Sequence, residues 1–324
     1  MQSLHTSRAA SRRGLLLIML AAVLWGTVGI STKTIYQITA TNPLSIGFFR
    51  LAFSLPVLFS VCWARLGRKM FQVSRTDLGL MTLVGLLTAL YQACYFGAIA
   101  RTGVAVATVI TLCTAPVMVA VASAALTKKG PSRVTLVALI GALTGTGLLV
   151  LSQEQSKLSG ADASGIALAF VSAFSYGMMT IASQRLAARY DPFQSLAISF
   201  AIGAAILFGV ACSHGMVVTY PPLAWSVLVY LGAVPTALAY VLFLKGMRST
   251  SATAASISTL LEPLVATLLA WFLFGERFSS IGFLGVALLI GSLLLLYLQG
   301  ALRVRKTGGL VTWGAVFRAM GGKT

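Results

Sequence analysis

Apolar runs recur along the whole chain, at 14–31, 43–63, 78–100, 103–127, 134–151, 165–186, 192–212, 223–244, 252–274 and 281–298, with short polar stretches between them. A helix rising 1.5 Å per residue needs about 20 residues to cross roughly 30 Å of hydrocarbon, which is the length of these runs. They are continuously apolar rather than alternating, so they predict helices and not barrel strands. The pattern predicts an all-α membrane protein with ten transmembrane helices.

Composition supports that class: 58% of residues are hydrophobic and only 9% charged, well outside the range of soluble globular proteins. The formal charge of +18 suggests nucleic acid until the positions are read. Arg8, Arg12, Arg13, Arg65, Arg68, Lys69, Arg75, Lys128, Lys129, Arg133, Arg185, Arg189, Lys245, Arg248 and the tail Arg303, Arg305, Lys306, Arg318 and Lys323 all fall on one face of the expected topology. The other face holds Lys33, Arg101, Lys157 and Arg277, and Arg50 lies within a span. Cytoplasmic loops carry such an excess, so both termini are expected in the cytoplasm of a cell whose inner (plasma) membrane the chain crosses. The charge reports topology, and no nucleic-acid partner is expected. "SRRGLLL", from Ser11 to Leu17, mimics an export signal, but nine further spans follow and the run is long enough to be the first of them. Cys62, Cys94, Cys113 and Cys212 are irregularly spaced, and His5 and His214 lie outside the spans. Neither a disulfide framework nor a metal site is expected, and no cofactor.

The chain repeats itself. "TLCTAPVMV" from Thr111 matches "STLLEPLVA" from Ser258, 147 positions on, with Pro116 under Pro263. The same offset pairs Gly85 with Gly232, Phe96 with Phe243 and Arg101 with Arg248, and a slightly larger one pairs Pro43 with Pro192. Five spans per repeat is an odd number, so the second copy must enter the membrane inverted. Such repeats place a solute site near the midplane between the halves and support alternating access. The expected organisation is a cytoplasmic tail 1–13, a first five-helix repeat 14–151, a periplasmic connection 152–163, a second repeat 164–298 and a basic cytoplasmic tail 299–324. In that tail Leu310, Trp313, Phe317 and Met320 have the spacing of an interfacial helix.

The doubled five-span arrangement, Trp25 with Gly26, Arg50 in the second span, Pro116, Pro263 and especially "LLEPLVATLLAWFLFGE" resemble the EamA-like branch of the drug/metabolite transporter superfamily. The resemblance covers nearly the whole chain and is strongest from Arg248 to Gly291. It implies ten helices around a central cavity and movement of small metabolites, often amino-acid export. "YQAC", from Tyr91 to Cys94, is similar to the equivalent stretch of aromatic amino acid exporters.

Residues at i+3, i+4 and i+7 share a helix face. Polar stripes then appear in the third span (Thr88, Tyr91 with Gln92, Tyr95), the sixth (Ser172, Ser175 with Tyr176, Met179, Ser183), the eighth (Gly232, Thr236, Tyr240) and the ninth (Ser251, Ala255, Ser258, Glu262). Polar groups facing lipid would lack partners, so these faces should turn inward. Trp25, Tyr91, Gln92, Tyr95, Tyr176, Tyr240 and Glu262 are the expected cavity residues, with the serine rows equally consistent with helix packing. Pro116, Pro263 and Pro235 free the carbonyls of Leu112, Thr259 and Leu231, and Pro116 and Pro263 are candidate hinges. Arg50 lies about 10 Å from one face and Glu262 about 15 Å from the other, depths that allow an ion pair. Three roles stay open for Glu262: a structural acceptor, a ligand for a solute's amino group, or a proton-coupling group.

These readings converge on a secondary transporter of a small organic metabolite, an amino acid or related amphipathic solute exported by alternating access, working as a monomer or homodimer. The chain carries no GxxxxGK[ST] motif, so no ATP-driven mechanism is expected. Carriage of anionic sugar phosphates, suggested by Lys245 and Arg248, is one alternative. An intramembrane enzyme is the other, and it lacks a nucleophile with a recognisable base.

Overall fold

Prolines and polar caps mark the starts of α2 and α7, and proline interrupts the ladder at two places in the second half. The structure is a computed structural model and describes residues 2–102, 104–153, 162–274 and 280–302. The C-terminal tail and most of the 152–163 connection lie outside the described residues, and with them the expected interfacial helix. The helices are α1 (Gln2–Ile38), α2 (Pro43–Leu66), α3 (Arg75–Thr102), α4 (Val104–Thr127), α5 (Arg133–Gln153), α6 (Ala163–Arg189) and α7 (Pro192–Ser213). The second half continues with α8 (Pro222–Leu231), a π-helical segment Gly232–Leu238, α9 (Ala239–Met247), α10 (Ala252–Ser258), α11 (Leu261–Phe274) and α12 (Ser280–Leu302). No strand occurs among the described residues. Eight of these stretches are long and apolar enough to cross a membrane, against the ten spans expected. Arg133–Leu149 and Ala252–Ala266 are apolar but shorter.

The repeat is visible in local structure. Asn42 caps α2 by accepting from the Ser45 N–H at 2.8 Å, with Pro43 as first helical residue. At the matching place Asp191 caps α7 by accepting from the Phe193 N–H at 3.0 Å, with Pro192 first. A capping oxygen satisfies a donor that the first turn leaves free, and proline has no donor to lose there.

Packing follows the same exchange. Helix α5 packs on α12 and α2 on α7; α3 on α6 matches α1 on α9, α4 on α6 matches α1 on α11, and α3 on α7 matches α2 on the π-helical segment. Small residues let these pairs approach. A Cβ on Gly85 would run into Ile202 and Gly203, whereas one on Gly232 would meet Phe53 and Ser54, the residues that the longer offset pairs with them. At the α5–α12 crossing the contact is reciprocal: a Cβ on Gly145 would lie 2.7 Å from the Gly285 carbonyl oxygen, and one on Gly285 would lie 2.7 Å from that of Gly145.

Two matched polar staples join the α2–α7 pair at its ends. At one, the Thr41 hydroxyl meets the Tyr220 hydroxyl at 2.6 Å, the Asn42 amide donates to Gly215 O and the Val217 N–H to Ser45 Oγ. At the other, the Gln194 amide donates to Met70 O at 2.9 Å and the Tyr190 hydroxyl to Asp77 at 3.0 Å. The second staple also carries charge: Arg189 pairs with the buried Asp77 at 3.2 Å, and Arg65 with Asp191 at 3.4 Å.

Because the atoms around Gly145 are backbone and cannot rotate away, Gly145→Ala is expected to lower unfolding stability by about 1–3 kcal/mol. Gly147, whose added Cβ meets nothing within 4 Å, provides the control: Gly147→Ala leaves the thermal midpoint in detergent unchanged or raised.

Candidate solute-binding site

Inside the ninth of the spans expected from the sequence, Pro263 has no N–H to give the Thr259 carbonyl four residues back. The chain answers with a turn at Thr259–Leu260 that separates α10 from α11. The Leu260 N–H donates to Ile257 O at 3.1 Å, and the Glu262 N–H takes over Thr259 O at 2.9 Å. This break puts the Glu262 carboxylate in the first turn of α11, where unpaired N–H groups and the helix dipole favour negative charge. Its matched proline behaves differently: α4 runs unbroken through Pro116.

The eighth span is interrupted as well. Pro235 lies in the π-helical segment, and the Thr236 hydroxyl donates at 2.7 Å to Leu231 O, the carbonyl that Pro235 frees. Single π turns of this kind shift the register of side chains that follow. Tyr240 comes next on that face, its ring 5.0 Å from Phe200.

Glycines bring two more helices to this place. On α1, a Cβ on Gly26 would lie 3.0 Å from Glu262 O and 2.6 Å from Val265 Cβ, so only glycine admits the broken span so closely. The preceding Trp25 then meets Tyr240 edge to face at 4.9 Å and Phe243 in a tilted contact at 5.4 Å. On α2, a Cβ on Gly47 would lie 3.2 Å from Gln92 Oε1, and Arg50 follows one turn later. From α3 and α6 come Tyr91, Tyr95 and Tyr176: Tyr91 packs 6.1 Å from Tyr95 and 5.3 Å from Tyr176, and the Tyr95 hydroxyl bonds Thr108 Oγ1 at 2.8 Å.

Glu262 stands at the electrostatic centre of this group, interacting with Arg50, Tyr91, Tyr95, Tyr176 and Tyr240. Of the residues expected from the sequence, the four tyrosines lie within electrostatic range of this carboxylate, Trp25 packs on Tyr240 and Gln92 lies beside Gly47. The expected Arg50–Glu262 ion pair is not closed. The two feel each other's charge, but no ion pair between them occurs among the described residues.

Three polar atoms of this group are buried with no hydrogen-bond partner among the described residues: Trp25 Nε1, Arg50 Nε and Gln92 Oε1. Trp25 and Gln92 each retain only 5% of their surface. Leaving such atoms unpaired costs about 1–3 kcal/mol each, so native proteins rarely do so without a use for them. The group offers two donors, an amide oxygen and a carboxylate, set among aromatic rings.

The serine rows are spent elsewhere. Ser175, Thr180 and Ser258 donate to carbonyls of their own helices, and Ser172 donates across to Tyr91 O at 3.1 Å. Lys245 lies over the Phe193 ring at 5.6 Å, and Arg248 donates to Ala187 O and Tyr190 O, both at 2.8 Å. Thr259, beside the Tyr176 hydroxyl, Thr108, Phe200 and Phe243 escaped the sequence reading. The break four residues before Pro263 was a signal for Thr259, whereas the phenylalanines sit in uniformly apolar runs that mark no face.

The profile of the EamA-like transporter family matches residues 12–151 and again 163–298. The chain is 31% identical over 292 residues to "Uncharacterized transporter YwfM" of Bacillus subtilis (strain 168), covering 90% of this chain and 95% of that protein. It is 30% identical to "Uncharacterized inner membrane transporter YicL" of Salmonella typhimurium, covering 91% of this chain and 99% of the relative. One solved crystal structure superposes with a TM-score of 0.73 at 19% identity, spanning 89% of this chain and 98% of its own, which shows the shared fold. With apolar helices long enough to cross a bilayer, this chain is a multi-pass membrane transporter, and it belongs to the EamA-like transporter family.

Proposed function

We propose that this transporter exports a zwitterionic, amphipathic solute, an amino acid with an apolar or aromatic side chain, across the inner membrane by alternating access. The observation that carries the reading is the group of unpaired atoms around Glu262. In this reading Arg50 and Trp25 Nε1 donate to the solute carboxylate, Glu262 and Gln92 Oε1 accept from its ammonium group, and the tyrosines cover its side chain. An ion with both charges is the ligand that leaves neither Arg50 nor Glu262 unpaired in a low-dielectric site. Aromatic faces add dispersion and attraction for the ammonium group.

The same reading takes the membrane region as ten spans in two inverted repeats with both termini cytoplasmic. Its supports are the matched packing of the two halves, the matched caps at Asn42 and Asp191, and the distribution of basic side chains. Sugar-phosphate carriage is disfavoured because Arg248 is spent on helix carbonyls and Lys245 on an aromatic face. The test is counterflow in proteoliposomes against labelled amino acids, amines and sugar phosphates. Saturable exchange of a zwitterionic amino acid is expected, and exchange confined to sugar phosphates would refute the assignment.

Two variants probe the site. Glu262→Gln keeps the shape and removes the charge, so the concentration for half-maximal counterflow of an amino acid should rise at least about tenfold, the equivalent of one lost charged hydrogen bond. Trp25→Phe removes a donor that the fold does not use. The smaller ring leaves space beside Tyr240 and Phe243, so a modest loss of thermal stability is expected, while solute affinity falls by about tenfold; a variant with lower stability and unchanged affinity would assign the indole to packing alone.

A further inference from the structure

The two halves match in many of their contacts, so a place where matched residues of the same type make different contacts reports the state in which the structure stands. One difference is large. At the end of the bundle where α6 finishes, the Arg248 guanidinium donates to Ala187 O and Tyr190 O, and the Gln184 amide donates to Thr250 O at 3.0 Å. Helix α9 packs on α6 there, and α10 reaches α4 and α6. The offsets that align the halves turn Arg248 into Arg101, Ala187 into Ile38 and Tyr190 into Thr41. Arg101 does not reach those residues. Its guanidinium turns back on Gly97 O of its own helix at 3.1 Å and lies within electrostatic range of Asp162. The matching packing of α3 on α1, and of α4 on α11, is marginal at most among the described residues.

We propose that Arg248 and Arg101 are reciprocal latches of the transport cycle. Arg248 closes one end of the pathway by capping the C-terminus of α6, as here. When that end opens, Arg101 closes the other by capping the C-terminus of α1 at Ile38 and Thr41. The last carbonyls of a helix have no partners within it, and a cation there is favoured by the helix dipole, so each arginine has a chemically equivalent seat. Exchanging the conformations of inverted repeats is also what interconverts the two states of such a fold. By the topology proposed above, the closed end here is the cytoplasmic one. The latch itself rests only on the match between halves, and would hold with the ends renamed if that topology were reversed.

The test needs no solute. Amide hydrogen exchange is followed on the full chain in lipid nanodiscs, comparing Arg248→Ala and Arg101→Ala with the parent. Arg248→Ala should speed exchange at 187–191 and slow it at 38–42, and Arg101→Ala should do the opposite at 38–42. A shift of about tenfold in the equilibrium between the states is enough to register. If each variant loosens only its own end and leaves the other unchanged, the latches are not reciprocal and the proposal fails. A second measurement looks for the unseen contact. In a chain with Cys62, Cys94, Cys113 and Cys212 replaced by alanine, the pairs Arg101→Cys with Thr41→Cys and Arg248→Cys with Tyr190→Cys are joined by a short bis-maleimide, which alkylates both thiols. Such a reagent is used because a disulfide tolerates a Cα separation of only about 7 Å. Each pair should cross-link singly, with Arg248→Ala raising the yield of the first several-fold. Both cross-links forming together in one molecule, or the first never forming, would overturn the inference. Neither outcome bears on which solute is carried.

Discussion

A carbonyl freed by proline within a membrane span must find its donor inside the protein, because hydrocarbon supplies none. Much of this structure is the consequence. In the eighth span the Thr236 hydroxyl serves the Leu231 carbonyl, and the ladder widens into a π-helical segment around Pro235. In the ninth the Glu262 N–H serves the Thr259 carbonyl, and the helix stops and restarts. A restarted helix exposes N–H groups in its first turn, so the same event that repairs the backbone prepares a place for a carboxylate. Glu262 occupies it.

The break also dictates what can surround it. Irregular backbone at this depth has to be covered by protein or line a cavity, and Gly26 on α1 gives the cover by admitting the chain within van der Waals distance of Glu262. Trp25 and Tyr240 then meet edge to face. The first half keeps the proline at Pro116 but has Ala115 where the second has Glu262, and there the helix is unbroken. A shared fold has thus been given one polar centre rather than two. Departures from symmetry occur at Glu262, which replaces Ala115, and at the Arg101–Arg248 pair, whose matched side chains find different acceptors.

Much of the fold was legible because bilayer thickness imposes a length on every span and water a composition on every loop. The paired prolines and glycines exposed the repeat, and the structure places Gly85 and Gly232 on corresponding neighbours. Pro235 and Pro263 named the carbonyls that needed new donors, and both found them. The polar members of the aromatic cluster were legible for a related reason: Tyr91, Gln92, Tyr95, Tyr176 and Tyr240 are too polar for lipid, and Gln92, Tyr176 and Tyr240 are buried. Phe200 and Phe243 belong to the same group and were invisible, since an apolar ring suits lipid and interior alike.

By itself, then, the sequence determined the membrane class, the helical content, the repeat and the set of side chains that must avoid lipid, because each follows from transfer of residues between water and hydrocarbon. Tertiary structure alone decided that Arg50 and Glu262 face each other without pairing, that Pro263 breaks its helix where Pro116 does not, and that Arg248 is docked while Arg101 is free of its matching seat. These depend on which helices touch and at which end. Contacts between distant segments are set by packing of the whole bundle, and no local pattern of polarity encodes them.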